Sequence, residues 1–203
     1  GYSLGGNMLL KLLSETAGQK IICAAIAVSA PLLLAECALR MQRGFSRLYQ
    51  YYLLNSMKDN LLAKMQRLDM QSVLNINESQ VKTLSTFREF DQDVTSRLHG
   101  FDGADDYYAH CSAMPMLKYI TTNTLVLHSK DDPFMTEAVV PNDNQLSNTV
   151  AYELSERVGH VGFLHGTPFR PTLWLQERIS QSFEEQHQRI LASETTMKTV
   201  INE

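Results

Sequence analysis

A chain of 203 residues, 44% hydrophobic and 20% charged, has the composition of one globular domain that can fill a core, which excludes disordered and fibrous classes. A net charge of −4, with no Lys/Arg cluster, excludes a nucleic-acid-binding surface. Cys23, Cys37 and Cys111 are odd in number, widely spaced and without a CxxC pair. They read as reduced thiols rather than a disulfide frame or zinc site and favour a cytoplasmic setting.

In chain order, a Gly-rich start runs directly into Met8–Leu13, the first turns of a helix that should end near Gly18. Ile21–Ser29 (IICAAIAVS) is a continuous apolar run rich in β-branched residues, as a strand buried on both faces of a parallel sheet requires. Pro31 closes it. The apolar stretch 21–35 is too short and too interrupted for a membrane span. From about Glu36 to Lys82 the chain is rich in Leu, Met, Gln, Lys and Arg and free of Pro. Leu53, Met57, Leu61, Met65 and Leu68 recur there at helical spacing, so a set of helices is expected. Thr86–Cys111, with Gly100, Gly103 and clustered Asp and Tyr, reads as loop.

A second buried strand, Thr124–His128 (TLVLH), is followed at once by the turn residues Asp131, Asp132 and Pro133. Val150–Leu154 is a third strand candidate and leads to Gly159-His160. An amphipathic helix carrying Trp174, Leu175, Ile179 and Phe183 is expected from Phe169 to about Ala192, and the last ten or so residues read as frayed. Strand and helix alternation at both ends, with helices between, implies one α/β domain. Its mostly parallel sheet is flanked by helices, and a helical cap is inserted at about 36–118.

Gly1-Tyr2-Ser3-Leu4-Gly5 satisfies G-x-S-x-G. At such an elbow the serine sits on a strained strand-to-helix turn that lifts its hydroxyl above the sheet edge. Flanking glycines avoid collisions there, and Gly6 adds a small position where the helix packs down. The helix N-terminus favours developing negative charge, and the Leu4 backbone N–H is the expected oxyanion donor. The alternative, a simple Gly/Ser loop, is weakened by the apolar helix and buried strand that follow. The elbow also needs a strand in front of it, so an N-terminal portion is expected to precede this chain.

In this arrangement the acid follows a later strand and the histidine comes after the next one. Asp131-Asp132 and His160 occupy those places. Imidazole titrates in the range that lets it act as base and then acid, and a carboxylate fixes its tautomer. His160 is flanked by Gly159 and Gly162, and His165 is the fallback. His99, His110, His128 and His187 read as structural or surface residues. Asp132 is favoured over Asp131, because Ser129 stands where a glycine often opens such turns and Pro133 follows. Asp131 then becomes a turn or capping residue. Arg88, Glu89, Asp91, Asp105 and Asp106 could form a metal or substrate site, but a salt-bridged scaffold is the plainer account. Tyr49, Tyr51, Tyr52, Tyr107 and Tyr108 could line an acyl pocket, although aromatics at that spacing more often serve core or cap packing. Met41, Met57, Met65 and Met70 could form an adaptable lipid-facing surface, but packed helix faces explain them equally well.

The chain resembles the YheT-type branch of the α/β-hydrolases, whose bacterial members are assigned as esterases by similarity and whose eukaryotic relatives act on acyl esters and acylglycerols. The resemblance rests on GYSLGGNMLLKLL, RGFSRLYQYYL, TFREFDQDVTSRLHGFDGADDYY, LHSKDDPF and GHVGFLHG, which together span most of residues 1–180. It implies Ser3, Asp132 and His160 as the triad of a serine ester hydrolase that needs no metal or organic cofactor. The expected partner is a small acyl ester of short to medium chain, or an acylglycerol. Passage of the acyl group to an alcohol, or a scaffold without activity, are the alternatives. Relatives often read G-G-H where this chain has Val158-Gly159-His160. Their first strands, and the loop that gives a second oxyanion donor, have no counterpart here.

Overall fold

The computed structural model describes residues 1–156, 159–160, 164–167 and 170–201, with side chains at these positions except 164–167, 170–173 and 193–201. The chain divides into two compact units, Gly1–Ala30 with Pro115–Asp132 and Asn142–Glu203, and Pro31–Met114 with Pro133–Pro141.

The first unit is the expected α/β layer. β1 (Ala24–Val28), β2 (Asn123–Ser129) and β3 (Val150–Ser155) form a parallel sheet in the order β1-β2-β3. The segment before the first helix adds to the free edge of β1. Tyr2 bridges Val28 in parallel, Val28 N–H donates to Gly1 O at 2.9 Å, and Ser3 N–H donates to Val28 O at 2.8 Å. Alternate residues of a strand face opposite sides. Ile26, Val28, Leu125 and Leu127 therefore share one face, which is covered by Leu175, Trp174 and Ile179 from the start of α9 (Trp174–Ile201). Ala25, Ala27 and Val126, on the other face, are buried as well. Burial on both sides is why these strands read as unbroken apolar runs. Helix α1 (Leu4–Glu15) buries Gly6, Asn7, Leu10 and Leu13, the three-and-four spacing of a single helix face, and packs on β1.

The larger part of the second unit, Pro31–Met114, lies between β1 and β2 in the chain. It contains α2 (Leu34–Met41), α3 (Ser46–Met65), α4 (Met70–Leu74), α5 (Glu78–Thr83), α6 (Phe87–Phe90), α7 (Ser96–His99) and α8 (Ala104–Cys111). Its main cluster joins Leu54, Leu61, Leu74, Ile76, Val81, Leu84, Phe90 and Val94. Leu34, Ala38, Ala104 and Tyr108 form a smaller one.

Several expectations need correction. The first strand starts at Ala24, not Ile21, because the Gln19 side chain takes up the N–H groups of Ile21 (2.7 Å) and Ile22 (2.8 Å) in a turn. On α3 the buried row passes through Leu54 and Leu61, two full turns apart, with Met57 and Met65 packed beside it. Leu53 and Leu68 are instead 49% and 60% exposed. Much of residues 86–111 is helical rather than loop. Thr86 and Glu89 form a capping box that starts α6, and a π-helical turn (Asp91–Thr95) carries the chain into α7. Gly100, at φ 75°, ends α7 in the left-handed region that glycine adopts without strain. Finally, Leu164–Thr167 (β4) pairs antiparallel with Arg170–Leu173 (β5), so the last helix begins at Trp174 instead of Phe169. That helix continues to Ile201 instead of fraying, because no Gly or Pro follows Pro171. Among the described residues, no helix is long and apolar enough to cross a membrane.

Candidate active site

The site is built at the C-terminal ends of the parallel strands, where open α/β sheets collect their functional groups. Ser3 stands between the segment paired with β1 and the first turn of α1, at φ 49° and ψ −128°. A non-glycine residue costs about 1–3 kcal/mol to hold in such a region. The bond from Ser3 N–H to Val28 O and the helix beginning at Leu4 hold it there.

The tight packing around the serine makes different demands on its glycines. A Cβ on Gly1 would lie 2.6 Å from Gly5 O, and one on Gly6 would lie 3.1 Å from the Ala30 Cβ. Gly5 has nothing within 4 Å of its Cβ position. The collision expected on both sides of the serine therefore arises at Gly1 and Gly6, but not at Gly5. The Leu4 N–H lies in the first turn of α1, where backbone donors have no carbonyl four residues back.

Asp132 follows β2 and is 4% exposed. Its Oδ2 lies 2.7 Å from His160 Nδ1, and His160 Nε2 lies 3.0 Å from Ser3 Oγ. Since a carboxylate only accepts, His160 carries its proton on Nδ1 and offers the Nε2 lone pair to the Ser3 hydroxyl. The structure thus brings Ser3, His160 and Asp132 into one line of hydrogen bonds. Asp131 has a different task. Its Oδ1 accepts from Gly159 N–H at 2.8 Å and also from Ser129 Oγ. It braces the backbone next to His160. The side chain of His165 lies outside the described residues, as do Val158 and Gly162.

Beneath the site, His128 is 1% exposed. Its Nε2 is 2.8 Å from Ala30 O and its Nδ1 is 2.8 Å from the Tyr152 hydroxyl. A carbonyl can only accept, so Nε2 bears the hydrogen and Tyr152 donates to Nδ1. Burial holds this imidazole down to about 4, so it is neutral at ordinary pH. Burial in turn pushes the Tyr152 hydroxyl well above its usual value.

The second polar cluster lies in the helical unit, where one pair of its members bond each other and the rest engage nearby groups. Arg88 makes two 2.7 Å bonds to Asp105, and Glu89 caps α6. Asp91 accepts from Thr95 and from the Tyr108 hydroxyl, both at 2.7 Å, and burial raises its carboxyl above the ordinary value. Asp106 accepts from Asp102 N–H at 3.0 Å. Among the described residues, no group of three or more His, Cys, Asp or Glu is arranged to hold a metal ion. Tyr51 and Tyr52 are exposed, while Tyr108 is buried.

Ser29 belongs to the site although no sequence motif marks it. It is fully buried, has φ 50°, and donates from Oγ to the backbone carbonyl of His160. Nothing local signals it, because serine has no special preference for positive φ.

A family model described as alpha/beta hydrolase fold matches residues 1–167. The chain is 48% identical over 179 residues to YheT of Escherichia coli (strain K12), covering 88% of this chain and 52% of that protein. It is 27% identical over 198 residues to Monoacylglycerol lipase ABHD2 of Homo sapiens, covering 88% and 45%. It is 28% identical over 185 residues to Phospholipase ABHD3 of Homo sapiens, covering 90% and 44%. The chain spans about half the length of these curated relatives.

Proposed function

The chain belongs to the α/β-hydrolase fold family, and from that premise we propose that the protein containing it is a serine hydrolase of carboxylic esters, with Ser3, His160 and Asp132 as its triad. The carrying observation is the unbroken relay from Asp132 Oδ2 through His160 to Ser3 Oγ, at 2.7 and 3.0 Å.

The chemistry follows from that relay. Ser3 Oγ attacks the ester carbonyl carbon while its proton passes to His160 Nε2. The carbonyl π electrons move to the oxygen, and the Leu4 N–H at the start of α1 stabilises that oxyanion. Asp132 stabilises the imidazolium and keeps the ring turned. Collapse of the tetrahedral intermediate expels the alcohol, which takes the proton from His160. Water then attacks the acyl-enzyme carbonyl and gives a proton to His160. The second collapse breaks the bond to Ser3, whose Oγ recovers that proton as the free acid leaves. No step calls for a metal or an organic cofactor.

Two relatives named for lipase and phospholipase activity support an acyl ester as the substrate class. Short- to medium-chain esters and acylglycerols are the proposed range. We further propose one hydrolase domain in which residues at about 36–118 form a helical cap.

The test is hydrolysis of a chain-length series of p-nitrophenyl esters and monoacylglycerols by the full-length protein and its Ser3→Ala variant. Hydrolysis that disappears with Ser3→Ala supports the reading. A folded native protein without hydrolysis, or one whose hydrolysis survives Ser3→Ala, overturns it.

A further inference from the structure

We infer that Ser29 is a positioning residue for the base: its hydroxyl, donated to the His160 backbone carbonyl, sets where the imidazole stands between Asp132 and Ser3. The inference rests on the reading of those three residues as a triad and adds a fourth position to it.

Ser29 is the first residue after β1, and its place there is unusual in two respects. It is fully buried, and at φ 50° it occupies the left-handed region that disfavours a side chain. Its backbone is still tied to the sheet, since its N–H donates to Leu127 O at 2.8 Å. Positive φ turns the chain out of the sheet just past that bond, and the Oγ reaches the His160 carbonyl. With a single side-chain torsion to set before the hydroxyl, the contact is short and stiff.

The neighbours of Ser29 give the contact its meaning. Val28 O accepts the Ser3 N–H at 2.8 Å, and Ala30 O accepts from His128 Nε2 at 2.8 Å. Three successive residues at the exit of β1 therefore touch the nucleophile, the base and the buried histidine beneath them. On the other side of the His160 Cα, Asp131 Oδ1 grips Gly159 N–H at 2.8 Å. The histidine backbone is thus held before and after its side chain, and the ring is left to engage Asp132 and Ser3. A reacting group misplaced by about 1 Å can lose on the order of a hundredfold in rate, so the carbonyl anchor bears directly on turnover. No atom of Ser29 need touch substrate.

The test uses Ser29→Ala and Ser29→Gly in the full-length protein. Both delete the hydroxyl, but only glycine relieves the positive φ. The expected result is a fall in kcat of about 10- to 100-fold in both, with KM within about twofold of native. Thermal stability should instead separate them, with Ser29→Gly melting above Ser29→Ala. Activity that recovers in Ser29→Gly together with its stability would mark a merely structural role and overturn the inference. Native kcat in both variants would overturn it too. The histidine ring resonances of His160, followed by nitrogen-15 NMR, give a readout independent of turnover. They should shift in both variants, and unchanged resonances would contradict the contact. If the native protein hydrolyses no ester, the triad reading fails, while the NMR comparison still decides the Ser29 contact.

Discussion

Asp132→Asn is the sharpest single perturbation of the proposed relay, because its neighbour Asp131 provides a matched control one residue away. Asp132 is 4% exposed and lies 2.7 Å from His160 Nδ1. Replacement by the amide removes the charge that offsets the imidazolium formed as Ser3 attacks. Opposite charges about 4 Å apart interact by about 4 kcal/mol at an effective dielectric near 20. At about 1.4 kcal/mol per tenfold in rate, that loss alone approaches a thousandfold. An amide N–H facing Nδ1 also favours the tautomer protonated on Nε2, which cannot accept the Ser3 proton. Together these effects predict a kcat lower by about 10³–10⁴, with KM little changed. Asp131→Asn keeps an oxygen able to accept the Gly159 N–H and should lose less than about tenfold. Steady-state kinetics on an ester substrate reads both variants. Near-normal turnover in Asp132→Asn, or an equal loss in Asp131→Asn, would refute the assignment.

Other outcomes follow from the packing around the elbow and beneath it. Gly5→Ala meets no atom within 4 Å and improves the propensity of α1, so it should raise thermal stability by up to about 1 kcal/mol in a melting experiment. Gly6→Ala would put its Cβ 3.1 Å from Ala30 Cβ and should lower both stability and turnover in the same assays. Leu10→Ala empties a position with no exposure and should cost about 2–5 kcal/mol in chemical denaturation. His128 links the fold to acid: its folded value of about 4 lies below the ordinary 6.5, so the unfolded chain binds the proton more readily. Its contribution is whole above about pH 6.5 and declines towards pH 4, by at most on the order of 3 kcal/mol. Denaturation across that window should show a shallower loss in His128→Gln than in the native protein.

Legibility in the sequence varied with how local the cause was. The strands at Ala24–Val28 and Asn123–Ser129 show as apolar runs because both faces of the sheet are covered, a condition that leaves its mark in consecutive residues. Ser3 and His160 stand in short motifs that the sequence alone displays. Asp131 and Asp132 differ by one position, and only the path of the turn decides which carboxylate meets the imidazole. The helices within 86–111 were hidden by glycines and aspartates that suggest loop, although the Thr86–Glu89 capping box was present in the letters. The row on α3 slipped from Leu53 to Leu54 because several leucines and methionines satisfy a helical period at once. Ser29 could not have been found. Its role depends on a positive φ and on a carbonyl 131 residues away in the chain, and neither is encoded locally.

The central claim, that Ser3 is an activated nucleophile, is tested most directly by covalent labelling of the full-length protein with a fluorophosphonate probe. Peptide mass spectrometry then locates the adduct. The account predicts one adduct on Ser3 Oγ, abolished by Ser3→Ala and strongly slowed by Asp132→Asn. A folded native protein that takes up no label, or carries it on another residue, would contradict the account.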